Sequence, residues 1–154
     1  MSYNPRILFL CTGNSCRSQM AEGFARKLLG DTVEPFSAGT EVHGMNERAV
    51  TVMAEAGVDI SGQRSKTVDE LEGEFDFVFT VCDSAAANCP FFPARSAVIH
   101  RGFDDPPTIT RGWKSEEKIL AVYRRVRNEI RILIQEIPGI IKAASVDGET
   151  VNPG

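Results

Sequence analysis

The stretch RILFLCTGNSCRSQMAEGFARKLLG, residues 6–30, limits the fold more than any other part of the chain. Arg6 to Leu10 reads as a short, fully buried strand. Met20, Phe24 and Leu28 then follow at helical spacing, with Gly30 as the stop. A strand that hands over to a helix within a few small residues begins a βαβ unit. The alternation continues along the chain. Val33 to Ala38 reads as a second strand, and Asn46 caps a helix through Ala49, Val50 and Met53 to Gly57. Phe75 to Val81 is the strongest strand signal, and Ala97 to His100 is a further strand before the loop RGFDDPPTITRGW. The last helix carries Ile119, Val122, Tyr123, Val126, Ile130, Leu133, Ile134 and Ile137 in steps of three and four. Ser115 caps its start, Glu116 and Glu117 suit the positive end of its dipole, and Pro138 with Gly139 is expected to end it. The tail beyond about Ala144 is expected to fray. This order implies an α/β fold, a parallel sheet with helices on both faces. A length of 154 residues fits one domain, with a core over about 6–137 and a tail at 138–154.

In such folds ligands bind at the carboxyl ends of the strands. Cys11 and Cys82 each end a predicted strand, so they are expected on one rim of the sheet. The loop after Cys11 presents several backbone N–H groups at a helix start, which is an anion site. That site is expected to span Thr12, Gly13, Asn14, Ser15, Cys16, Arg17 and Ser18. Gly13 lets the backbone curl and Asn14 tolerates a left-handed conformation. Arg17 adds a planar fork that grips two oxygens. The same field favours a thiolate at Cys11, for which cysteines in such settings reach a pKa of roughly 3.5–7.5. Ser18 can donate a hydrogen bond to it. A thiolate beneath a tetrahedral oxyanion is poised for in-line attack. Asp105, stiffened by Pro106, is the candidate acid for the departing oxygen, with Asp104 as the fallback.

Other function classes lose ground on composition. A net charge of −4 gives no footprint for nucleic acid or an anionic membrane. No run approaches the roughly 20 apolar residues of a membrane span, and Ile7 to Leu10 is too short for a leader core. The expectation is therefore a cytoplasmic protein, where thiols stay reduced, and a monomer is expected without a sequence feature that fixes it. Cys11, Cys16, Cys82 and Cys89 are spaced as no usual zinc site, so no metal is expected.

CTGNSCRS followed by QMAEG, then SAG at 37–39, HG at 43–44 and GFDDP at 102–106, resembles the low-molecular-weight tyrosine phosphatase superfamily. Within it, the arsenate reductases coupled to thioredoxin are the nearest likeness, over about residues 6–137. The resemblance implies a four-stranded parallel sheet flanked by helices, a three-layer sandwich. It also implies no tightly bound cofactor, with thioredoxin as external reductant and partner. A phosphatase needs only Cys11, Arg17 and the acid, and has no use for VCDSAAANC. Reducing arsenate takes two electrons, which Cys11 and Cys82, the second thiol, can supply by forming a disulfide that Cys89, as resolving thiol, then draws out. DSAAAN looks helical and would hold Cys82 and Cys89 about 10 Å apart, at 1.5 Å per residue. A disulfide tolerates roughly 7 Å between Cα atoms, so that helix has to shorten first. Cys16 is read as packing, His43 as structural, and Arg124, Arg125, Arg127 and Arg131 as a solvated face. Some relatives bind potassium beneath the loop; Asn14, Glu22 and Ser37 match three of their ligands, and Lys66 stands at the fourth, where its ammonium can replace the ion. Two rival readings remain: a tyrosine phosphatase, weakened by Pro107 and Thr108 where a ring platform would stand, and a non-enzymatic thiol sensor, which leaves Arg17 and Asp105 without a role.

Overall fold

The computed structural model describes residues 4–82 and 92–151, and of 145–151 only the backbone course. Cys89 and the expected helix DSAAAN fall on 83–91 and lie outside the described residues. The elements run β1 (Arg6–Cys11), α1 (Arg17–Leu29), β2 (Glu34–Gly39), α2 (Glu47–Glu55), β3 (Phe77–Thr80), β4 (Ala97–His100), α3 (Pro106–Ile109) and α4 (Glu116–Val151). The four strands form one sheet in the order β2-β1-β3-β4, with every neighbouring pair parallel. Because β1 is central, its alternate residues feed two cores. Ile7, Phe9 and Cys11 share the larger core with Met20 and Phe24 of α1, Val52 and Met53 of α2, and the apolar stripe of α4. Phe9 is also the register partner of Phe79, and their rings stack at 5.6 Å. Leu8 and Leu10 point the other way, onto Phe75 and Val78, with Leu71 and the 3₁₀ turn Val68–Glu70 over them. Among the described residues no helix is long and apolar enough to cross a membrane.

Two expectations need correction. Leu28 is 43% exposed, since the last turn of α1 runs out into solvent and Leu29 packs on the core instead. Second, Pro138 and Gly139 do not end the last helix, because α4 continues through them to Val151. A proline inside a helix costs about 3 kcal/mol. Ile137 is fully buried, and Ile140, Ile141 and Ala144 continue the same stripe against the core. Full burial of an isoleucine contributes about 1.5–3 kcal/mol, so tertiary packing outweighs the local breaker.

Pro138→Ala therefore restores a helical hydrogen bond while freeing the unfolded chain, an offset of about 1 kcal/mol. The expected outcome is a net gain of about 1–2 kcal/mol, read as a rise in the thermal midpoint of about 2–4 °C per kcal/mol. An unchanged or lower midpoint would show that the proline is not strained there.

Candidate active site

β1 ends on Cys11 and α1 begins at Arg17, so residues 12–16 turn the chain at the carboxyl edge of the sheet. The carbonyls of that turn are all engaged from outside. Thr12 O accepts from the N–H groups of Thr40 and Glu41, both at 3.0 Å. Gly13 O accepts from His43 N at 3.1 Å and from Ser65 Oγ at 3.0 Å. Asn14 O takes Gln19 Nε2 at 3.1 Å, Ser15 O takes Asn46 N at 3.2 Å, and Cys16 O takes Met20 N at 2.9 Å. Among the described residues nothing accepts from the N–H groups of residues 13–16. With the carbonyls turned out, those donors are left for an anion.

Asn14 sits at φ 48°, in the left-handed region, with its side chain fully buried beneath the turn. Its Nδ2 donates to Ser18 Oγ at 2.9 Å and Ser37 Oγ at 3.0 Å. Its Oδ1 accepts from Gln19 Nε2 and from Lys66 N, each at 2.9 Å. Ser18 Oγ lies 2.9 Å from Cys11 Sγ. At that distance the Ser18 hydroxyl can donate to a Cys11 thiolate while its oxygen accepts from Asn14. Ser37 Oγ in turn donates to Glu22 Oε1 at 2.5 Å. Glu22 is neutralised by Arg26 and by Lys66, whose Nζ stands 3.6 Å from Oε1. Lys66 thus stands beside the Asn14–Glu22–Ser37 group, at the position where its ammonium is expected.

The walls of the site come from further along the chain. Cys11, Arg17, Asp105, His43, Asn46 and Arg111 are among the residues lining one cavity of about 460 Å³. Arg17 is nearly buried; its Nη1 donates to Phe103 O at 2.9 Å and its Nε lies 3.5 Å from Asp105 Oδ1. Arg17 and the candidate acid Asp105 are thus tied to one loop. Asp105 precedes α3 and accepts from Thr108 Oγ1 at 2.7 Å. Asp104, the fallback acid, pairs with Arg125 at 3.0 Å on the exposed side of α4. Cys82 follows β3, is 2% exposed, and has its Sγ 3.8 Å from the carbonyl of Leu10, the neighbour of Cys11. Cys16 is buried in the core while also touching the cavity. Burial pushes its thiol well above the ordinary range, with Asp105 and Cys11 adding to the rise and Arg17 opposing it.

Thr12, Gly13 and Ser15 line the cavity as expected of an anion loop, but Asn14 and Ser18 support it from behind. His43 has more contact with the site than its sequence suggests. Its ring occupies the space that a Cβ on Gly13 would need, 2.2 Å from Nδ1, and its Nε2 meets Glu41 at 2.5 Å. Asn46 both caps α2 through Ala49 N and donates to Tyr123 Oη at 3.2 Å. Sequence reasoning missed Ser65, Gln19 and Arg111, because each reaches the site through contacts that no spacing rule encodes.

The low-molecular-weight phosphotyrosine protein phosphatase family matches residues 6–138. The chain is 52% identical over 125 residues to an arsenate reductase of Halalkalibacterium halodurans, covering 80% of this chain and 88% of that one. It is 48% identical over 134 residues to the arsenate reductase of Bacillus subtilis, covering 86% and 94%. A solved arsenate reductase in its phosphate-binding state superposes with a TM-score of 0.73 at 30% identity, over 86% of this chain and 95% of the other.

Gly39 tests the turn from behind. A Cβ there would stand 2.5 Å from Thr12 O and 2.9 Å from Asn14 N, both backbone atoms. Gly39→Ala should cost about 1–3 kcal/mol and displace the loop. The expected result is a lower thermal midpoint together with weakened phosphate binding by calorimetry; tight binding in the variant would show that the turn adapts. Cys16, held as a thiol, should resist iodoacetamide at pH 8 while Cys11 is alkylated, as read by peptide mass spectrometry. Equal labelling of the two would contradict the burial argument.

Proposed function

The chain belongs to the low-molecular-weight phosphotyrosine protein phosphatase family, and on that premise we propose that it reduces arsenate to arsenite by a three-cysteine relay reset by thioredoxin. The observation that carries this reading is Cys82, buried at the end of β3 beside the Leu10–Cys11 end of β1. Hydrolysis of a phosphate ester gives a second thiol there nothing to do. Identity near 50% to arsenate reductases over most of both chains supports the same reading.

The N–H groups of the 12–16 turn and the Arg17 fork hold the oxyanion over Cys11. The Cys11 thiolate, with Ser18 donating to it, attacks arsenic. Asp105 supplies the proton, a water leaves, and an Sγ–As(V) bond forms. Cys82 then attacks the Cys11 sulfur. An S–S bond forms, the S–As bond breaks, and its electron pair stays on arsenic, which departs as arsenite. Two thiols have been oxidised and arsenic reduced by two electrons. Cys89 attacks Cys82 next, frees Cys11, and moves the disulfide to Cys82–Cys89. The dithiol of thioredoxin reduces that bond and becomes the disulfide itself. The reaction needs no potassium, since Lys66 already neutralises Glu22. Thiols used this way belong in the cytoplasm.

The rival is a phosphatase, which Cys11, Arg17 and Asp105 would suffice for. Pro107 and Thr108 form the wall where an aromatic platform would serve a phosphotyrosine ring. The discriminating assay is arsenate-dependent oxidation of NADPH with thioredoxin and thioredoxin reductase. Turnover is expected; its absence, with brisk hydrolysis of a phenyl phosphate ester, favours the phosphatase. Cys89→Ser should reduce one arsenate per molecule and stall with Cys11 joined to Cys82 by mass. Sustained turnover of that variant would remove Cys89 from the relay.

A further inference from the structure

Ten of the twelve arginines form ion pairs with carboxylates, and an eleventh, Arg131, lies over the Phe24 ring at 5.8 Å. Among the described residues Arg111 has neither kind of partner. It is exposed, and it lines the cavity that holds Cys11, Arg17 and Asp105. Its backbone is nevertheless fixed. Thr110 is buried and donates through Oγ1 to Pro106 O at 2.8 Å, and Trp113 N donates to Thr110 O at 2.9 Å. Gly112 closes that turn at φ +82°, a conformation that favours glycine. The stem is held while, among the described residues, no carboxylate pairs with the charged head, in a chain with an acidic excess.

In-line attack fixes what faces that head. With Cys11 beneath the central atom, the departing oxygen lies on the opposite side, the side of its expected acid Asp105, whose segment also brings Pro107, Thr108 and Arg111 to the cavity lining. In a free oxyanion this is an oxide or hydroxyl that a guanidinium can hydrogen-bond and attract. In an ester it carries carbon, and the organic group would crowd the cation. We propose that Arg111 is a specificity-determining residue that selects the free inorganic oxyanion over its organic esters. This rests on the reductase reading above.

The test compares wild type with Arg111→Gln and Arg111→Lys. Phosphate binding to the full chain is measured by titration calorimetry, which requires no turnover. Arg111→Gln should weaken it about three- to tenfold, and the salt dependence should flatten as one screened charge is lost. Arg111→Lys should restore most of the salt dependence but not the full affinity. The KM for arsenate should rise by the same factor with kcat within about twofold, while kcat/KM for a phenyl phosphate ester stays level or rises. Phosphate affinity within about twofold of wild type in Arg111→Gln would overturn the proposal. An equal loss for ester and arsenate would also overturn it, since Arg111 would then attract any anion. If wild type fails to reduce arsenate while phosphate binding still responds to Arg111→Gln, the reductase reading has failed, and the selection of free phosphate stands or falls on the ester measurement.

Discussion

The buried side chain of Asn14 uses both amide hydrogens and both acceptor positions at once: Ser18 and Ser37 accept from it, Gln19 and Lys66 donate to it. These partners come from α1, from β2 and from the loop before the 3₁₀ turn, so one amide joins segments that meet only in the folded state. An amide of this kind is strongly bound when every site is filled and costly when one is lost. The left-handed backbone at the same residue sets the turn of the loop. Cys11, the out-turned carbonyls and the start of α1 all take their positions from it. The chain of donors then runs outward from the sulfur through Ser18, Asn14 and Ser37 to Glu22, and ends on two cations.

Two cysteines five residues apart show how much of the chemistry is environment. Cys11 has a hydroxyl aimed at its sulfur and an opening to the cavity. Cys16 sits in the core, where burial penalises its charged form. The residue type is the same, but only one of the two has a donor in position to hold negative charge.

Most of the fold was legible because it rests on local patterns. The strands of Leu8 and Val78, the cap at Asn46 and the stripe of α4 each follow from periodicity or a short-range hydrogen bond. The errors came where distant packing overrides a local rule. Pro138 reads as a stop, yet Ile140 and Ile141 beyond it have a core to bury against. Leu28 has the right spacing but stays 43% exposed at the end of α1. At the site, Pro106 already favours Asp105 over Asp104, and the pairings with Arg17 and with Arg125, twenty-one positions from Asp104, separate the two further. His43 reads as structural, and the space left by the absent Cβ of Gly13, which its ring fills, is a detail that no spacing rule encodes.

Several of the groups that engage the loop carbonyls, Thr40, Glu41, Ser65, Gln19 and Met20, lie outside the cavity lining. Ser65, Gln19 and Thr40 would never touch a bound oxyanion, yet they set which way the peptide dipoles around it point. Affinity is therefore written partly into positions that a contact map of the bound anion would leave blank. A mutagenesis library confined to the cavity lining would sample the clamp and the nucleophile but miss the scaffold that orients the donors. Neutral-looking exchanges in the surface loops can retune the anion site without altering a single residue it contains.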